Sequence, residues 1–249
     1  MDEIMRRAVE RSLITMKDNL GERLTIDDIA RAAMFSKFHF TRMFQRATGV
    51  TPGRFLSAMR LAEAKRLLLT TEGTVSDIGH QVGYLSVGTF SSRFSMSVGV
   101  SPRTYRKLRG RIPPLPDSRA EGPGYSLVGN VSVPAGVEFG TVFVGLFPGR
   151  ITEGIPARHA FLDRPGQYTR PAVPAGSWHR FAHAFGRHPG GEPGPWPFMG
   201  HSGPVTTRGG VTARIAEIRL RPRGAFDPPV LLALPDLRRV VEQPQPIAS

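Results

Sequence analysis

Over roughly the first 110 positions, apolar residues recur at helical spacing. Ile4, Met5, Ala8, Val9, Leu13, Met16 and Leu20 predict a helix from Asp2 to Leu20, closed by Gly21. Phe40, Met43, Phe44 and Ala47 make the buried stripe of another, and Phe38, Thr41, Arg42 and Gln45 run at the same spacing along its opposite side. That helix therefore packs one face and leaves the other polar and free. Ser36 stands where an N-cap would be, and Gly49 where a left-handed residue ends a helix. A shorter helix ahead of it begins at Thr25, with Asp27 and Asp28 in the first turn, where carboxylates favour the positive helix end. Thr51 and Pro52 open a third, with Phe55, Ala58, Met59, Ala62 and Leu69 as its stripe to about Thr70.

This arrangement then returns. Ser36, Phe40, Phe44, Gly49, Val50 and Pro52 recur as Ser86, Phe90, Phe94, Gly99, Val100 and Pro102, and Ile26, Asp28, Ile29 and Phe35 as Val75, Asp77, Ile78 and Tyr84, with Leu85 inserted. The repeated unit is a short helix, a tight turn and a second helix with a polar face, which is a helix-turn-helix whose second helix fits a DNA major groove. At ~1.5 Å per residue the helix between the copies is roughly 28 Å long. The distance between successive major-groove faces is ~34 Å, so a stiff rod of this length can hold two heads one turn apart. Ser101 and Pro102 open a last short helix through Tyr105 to about Leu108, and Arg103, Arg106, Lys107 and Arg109 make it basic, for phosphate contact or for solvation alike.

Past Ile112–Gly124, a linker by its proline, glycine and charge, the helical rhythm is replaced by short apolar runs between turn residues. LVGNVSV, GTVFVGLF, GQYTRPAV, GSWHRFAHAF, VTARIAEIRL and VLLAL predict strands of an all-β sandwich. The tail from Pro235 to about Gln243 has room for one or two helical turns.

Charge sharpens the picture. The chain carries a formal +13, divided as 18 basic against 10 acidic residues through position 110 and 15 against 10 beyond it. Such an excess suits polyphosphate binding, and solubility or loose membrane-surface attraction as well, but its larger share accompanies the repeat, which favours the first. With no cysteine, disulfides, thiolate chemistry and cysteine-ligated zinc are excluded. The N-terminal stretch interleaves acids and arginines with its apolar residues, so neither a signal peptide nor a membrane span is expected, and a cytoplasmic protein is.

The run F-T-R-M-F-x-R-x-T-G-x-T-P at Phe40 to Pro52, V-S-D-I-G-x-x-V-G-Y at Val75 to Tyr84, and G-V-S-P at Gly99 to Pro102 closely resemble the AraC/XylS family of transcription regulators. The resemblance covers less than half of the chain and implies seven helices, two helix-turn-helix units and a long linking helix. It implies base-reading positions at Ser36, Phe38, Thr41 and Arg42 in the first head and Val87, Gly88, Thr89 and Ser92 in the second. Lys37, Arg46, Ser86 and Arg93 complete the expected DNA contacts. The second head departs from its family, which commonly carries a basic residue where Ser92 stands. Its face at Gly88, Ser91, Ser92 and Ser95 has no charge and little reach, so the first head is expected to read sequence and the second to grip backbone through Ser86, Thr89 and the helix end. Domain order departs too, since DNA binding comes first here. The runs V-x-G-x-V-x-V-P-A-G, T-V-F-V-G-L-F, P-G-Q-Y and V-P-A-G-S-W are similar to transthyretin-like, also called carboxypeptidase-regulatory-like, β-sandwiches.

Other chemistry is set against plainer explanations. His179, His183 and His188 with Glu192 invite a metal site, but Trp178, Phe181 and Phe185 around them read as core, and no metal is assigned. The aromatics Phe143, Phe147, Tyr168, Trp178 and Phe181 are read as core filling, and Trp196 and Phe198 in the loop-like GEPGPWPFMG as a pocket rim or partner surface. No nucleophile elbow or phosphate loop occurs, so no catalytic residue, enzyme activity or cofactor is assigned.

The resulting expectation is a multidomain α plus β protein. Residues 1–110 form an all-α double helix-turn-helix domain of seven helices, 111–124 a linker and 125–249 an all-β sandwich. It is a regulator that binds double-stranded DNA through two adjacent major grooves. Its β domain binds a small-molecule effector, oligomerises or contacts RNA polymerase, with no membrane partner and no oligomeric state assigned. The alternative is an architectural or weakly specific DNA anchor whose β domain is a protein-interaction module.

Overall fold

A computed structural model describes residues 3–110, 125–187, 193–207, 213–214 and 217–233. The linker at 111–124, the tail after 233, His188 and Glu192 lie outside the described residues.

Seven helices occupy the first part: α1 Glu3–Asp18, α2 Ile26–Ala32, α3 Lys37–Thr48, α4 Pro52–Thr70, α5 Val75–Gln81, α6 Val87–Val98 and α7 Pro102–Lys107. The duplication is visible in the local chemistry that starts and stops them. Thr25 and Thr74 each close a capping box with the carboxylate three residues on, Asp28 and Asp77. The threonine hydroxyls, followed by the threonine amides, hold both carboxyls below their ordinary range. Gly49 and Gly99 end α3 and α6 at φ 79° and 95°.

Packing repeats as well. Phe40, Phe44 and Phe55 form one aromatic triad, with Phe44 and Phe55 edge to face at 5.5 Å. Phe90, Phe94 and Tyr105 form its copy fifty positions on, with Phe94 and Tyr105 at 5.7 Å. Each head is thus built on one aromatic cluster.

Two expected stripes shift. In α1 the buried residues are Ala8, Val9, Ser12, Leu13 and Met16, while Ile4 is exposed. In α4 Leu56, Leu61, Ala64, Leu67 and Leu68 are buried beside Phe55 and Ala58, whereas Met59 and Ala62 are half-buried and Leu69 is exposed. The reason is that α4 packs against neighbours on more than one side, so its apolar residues do not form a single stripe.

Two segments from the second half of the sequence belong to this helical unit, 150–154 and 224–233. The amides of Leu231 and Leu232 donate to the Thr152 carbonyl, Ala233 N donates to Val98 O, and Gly154 N to Ser97 O. Lys65 of α4 donates to the carbonyls of Val230 and Leu231 at 3.3 and 3.0 Å. VLLAL is therefore not a strand: Leu231, Leu232 and Ala233 are buried by docking on helices, where their backbone finds these partners.

The other unit is made of strands β1 Tyr125–Ser132, β2 Glu138–Phe147, β3 Arg158–Leu162, β4 Gln167–Val173, β5 Gly176–Arg187, β6 Pro193–Thr207, β7 Ala213–Arg214, β8 Ile218–Arg219 and β9 Arg221–Pro222. One sheet has the order β4-β1-β7, with β8 also paired to β1, and the other β3-β2-β5-β6-β9. Leu127 and Val131 of one sheet and Val144, Leu146, Ala182 and Ala184 of the other belong to a single buried apolar cluster.

The apolar runs include neither β3 nor β6, and the start of β6 reads as a loop. Prolines and glycines read as turn signals there, but the strand is held by pairing with β5 from Gly176↔Thr207 to Arg187↔Pro193. Phe198 is consequently no rim residue: it meets Phe139 edge to face at 4.8 Å and packs on the cluster. The Trp196 side chain lies outside the described part. Inside the unit, Arg180 is wholly buried and donates to Ser202 Oγ at 2.6 Å, while its Nε has no hydrogen-bond partner among the described residues.

Candidate nucleic-acid interface

The recognition helices present very different edges. On α3, Lys37, Phe38, Arg42 and Arg46 are exposed and Thr41 is half-buried. Phe38 is 73% exposed, which makes it a free ring and no packing residue. The Arg42 guanidinium lies 5.7 Å from the centre of that ring, so the aromatic face holds the cation over the edge of the helix. Among the described residues no carboxylate pairs with Arg42 or Arg46. Lys37 reaches Asp27 at 2.9 Å, but both are more than half exposed, so the pair is readily exchanged for a phosphate. The Thr41 hydroxyl donates to the Lys37 carbonyl. Ser36 takes the N-cap position, yet its side chain makes no capping bond.

Beside this edge a depression of about 260 Å3 is lined by Met5, His39, Arg42, Met43 and Arg46. Two guanidiniums and an imidazole, with no carboxylate among the described lining residues, suit an anionic group.

On α6, Ser86, Val87, Gly88, Thr89 and Ser92 are exposed. Ser86 caps the helix by accepting from Thr89 N at 3.1 Å, and its hydroxyl also donates to Thr89 Oγ1. Arg93 is not on that edge. It is half-buried and turned to Glu153 at 3.6 Å, a carboxylate that also pairs with Arg54 and accepts from Ser97 Oγ at 2.9 Å. The second head is thereby left without a free cation among the described residues of α6, because a residue distant in sequence supplies Arg93 with a partner.

Several arginines have structural duties instead. Arg106 donates to the carbonyls of Leu68, Thr71 and Gly73 and so closes the C-terminal end of α4. Arg60 does the same for Leu20 and Glu22 after α1. Burial lowers the pKa of the Arg60 side chain. Neither role is legible in sequence, since the acceptors are main-chain carbonyls tens of residues away.

In the β unit, His179 and His201 are hydrogen-bonded at 3.0 Å, and His183 is buried beside Phe181 and Phe143. Among the described residues no three histidine, aspartate or glutamate side chains are grouped to hold a metal. No described helix is long and apolar enough to cross a membrane.

Comparison with known proteins agrees with the geometry of the heads. A family model described as a helix-turn-helix domain matches residues 29–108. The HTH-type transcriptional activator AarP of Providencia stuartii is 35% identical over 94 residues, 38% of this chain and 70% of that protein. The transposon Tn10 TetD protein of Escherichia coli is 34% identical over 95 residues, 38% of this chain and 69% of its own. The chain spans a smaller share of longer relatives, 33% for the melibiose operon regulatory protein of Escherichia coli, with 33% identity. Among solved structures, an AraC-type transcriptional regulator from Chromobacterium violaceum is 29% identical over 42% of this chain and 93% of that one, with a TM-score of 0.41. AarP is named as a transcriptional activator and the melibiose protein as an operon regulator.

Proposed function

The chain belongs to the AraC family of helix-turn-helix transcription regulators, and we propose that it recognises its operator through two unequal heads on consecutive major grooves. The observation that carries this reading is the exposed Phe38–Arg42 pair on α3, set against an α6 edge of hydroxyls, glycine and valine. Arg42 reaches base edges, where a bidentate contact with guanine contributes ~1–3 kcal/mol of discrimination. Ser36, Thr41 and Phe38 flank it, while Lys37 and Arg46 hold the phosphates on either side. Ser86, Thr89 and the amide end of α6 grip the second half-site. The similarity to AarP, named as an activator, supports activation as the mode of control, with RNA polymerase as partner and the cytoplasm as the place of action.

The β unit is read as a sandwich of the transthyretin-like kind, because two sheets share one apolar cluster. Its role in this proposal is to bind an effector or a second copy of the chain.

The test is a salt-controlled binding assay on a site selected from random DNA. Arg42→Ala should weaken specific binding by ~10- to 100-fold while lowering nonspecific binding far less. Equal losses in the two would make Arg42 a phosphate clamp. A protected region with no boundaries in footprinting would instead favour an architectural anchor.

A further inference from the structure

The second head lacks charge, but it is not featureless. Leu85 is 75% exposed and Val87 43% exposed, and they stand on either side of the N-cap of α6, the end of a recognition helix that enters the groove. Single exposed aliphatic residues need no explanation. Here, however, they join a position with an unusual choice of residue. Among the described residues a side chain at Gly88 would meet only Ser86 Oγ, 3.8 Å from its Cβ, so their packing does not call for glycine there. An exposed glycine on the first turn of such a helix lets another surface come close to the backbone.

Hydrogen bonding is meanwhile largely committed. Ser86 and Thr89 bond to each other, Ser95 donates to the Ser91 carbonyl, and Arg93 faces Glu153. Besides the short hydroxyl of exposed Ser92, what α6 has left to offer a base edge is an apolar lip with no side chain behind it. In the major groove the feature that an apolar group can recognise is the thymine 5-methyl.

We propose that the second head selects its half-site by packing Leu85 and Val87 against thymine methyl groups, with Gly88 permitting the close approach. This rests on the two-headed reading above, and it adds a specific base-reading chemistry to a head expected mostly to grip backbone.

The experiment uses the full chain and an operator selected from random DNA. Each thymine of the second half-site is replaced by uracil, which deletes the methyl and keeps every hydrogen-bonding group. Affinity should fall about three- to fivefold for each contacted methyl. In the Leu85→Ala, Val87→Ala double variant the same replacements should have little further effect. Both positions are exposed, and an unchanged unfolding temperature would show that the variant folds. Insensitivity to uracil in a well-bounded second half-site would overturn the proposal and leave the two-headed reading intact. An equal uracil effect in the variant would overturn it too, because the methyls would then act through DNA shape. Failure to select any bounded site would instead sink the reading on which it rests.

Discussion

Met34 and Gly83 occupy the tight turns of the two heads, both left-handed, at φ 64° and 87°. Only one of them is glycine. A left-handed non-glycine residue costs ~1–2 kcal/mol, partly offset because glycine loses more entropy on folding. Met34→Gly should therefore raise stability by up to ~1 kcal/mol in urea unfolding. Gly83→Ala should lower it by ~2 kcal/mol or more, since the new Cβ would lie 2.7 Å from the Leu20 carbonyl oxygen. His183 provides a pH test at the same scale. Burial, and then the Arg223 charge, push its pKa from 6.5 down to about 4. Between those values the unfolded chain binds more protons than the folded one, so stability falls as pH falls through the window. The loss from pH 7 to 4 should exceed that of His183→Phe by on the order of 3 kcal/mol, measured by unfolding of both proteins across that range. Identical pH profiles would mean that His183 does not carry the effect.

Among the elements, α4 shows most clearly how a helix depends on what docks on it. Arg106 closes its C-terminal end, and the segments at 150–154 and 224–233 complete its surroundings through Lys65 and Arg54. Leu231 is 1% exposed, and truncating a buried leucine to alanine costs ~2–5 kcal/mol. Leu231→Ala should accordingly reduce hydrogen-exchange protection in α4 and α6, although the substitution lies more than a hundred positions beyond both. Unchanged protection there would show that the docked segment adds nothing to the heads. The helix starts and stops were legible in advance because Thr25, Thr74, Gly49 and Gly99 act through bonds to their own neighbours. The boundaries of the strands were less so, since the Pro- and Gly-rich β6 is held by its pairing with β5 rather than by propensity.

For the molecule as a whole, the proposed function rests on the distance between two heads. If α4 is a stiff spacer, inserting five base pairs between half-sites turns the second one to the opposite side of the duplex, and affinity should fall to that of one head. Inserting ten restores the side but adds a turn of ~34 Å, which the rod cannot span, so affinity should remain low. Recovery at ten base pairs, read by competition binding, would mean that the heads are flexibly joined. Chain organisation at this scale was only half visible. The helical start and the β-rich continuation announce themselves by a change of apolar period, from about four to two. The return of two short segments to the helical unit does not, because VLLAL has the composition of a strand and no local signal of its partner.

The sequence alone determined everything that acts over a few residues: the seven helices and their caps, the fifty-residue repeat, and an exposed edge with Phe38 and Arg42 on α3. Tertiary structure decided which charges remain available. Lys37, Arg54, Arg60, Arg93 and Arg106 look alike as basic residues in a DNA-binding region, yet Arg60 and Arg106 close helix ends and Arg54 and Arg93 share Glu153. A side chain's type is written at its own position. Its partner is written wherever the chain happens to return, and electrostatic pairing depends on that distance in space.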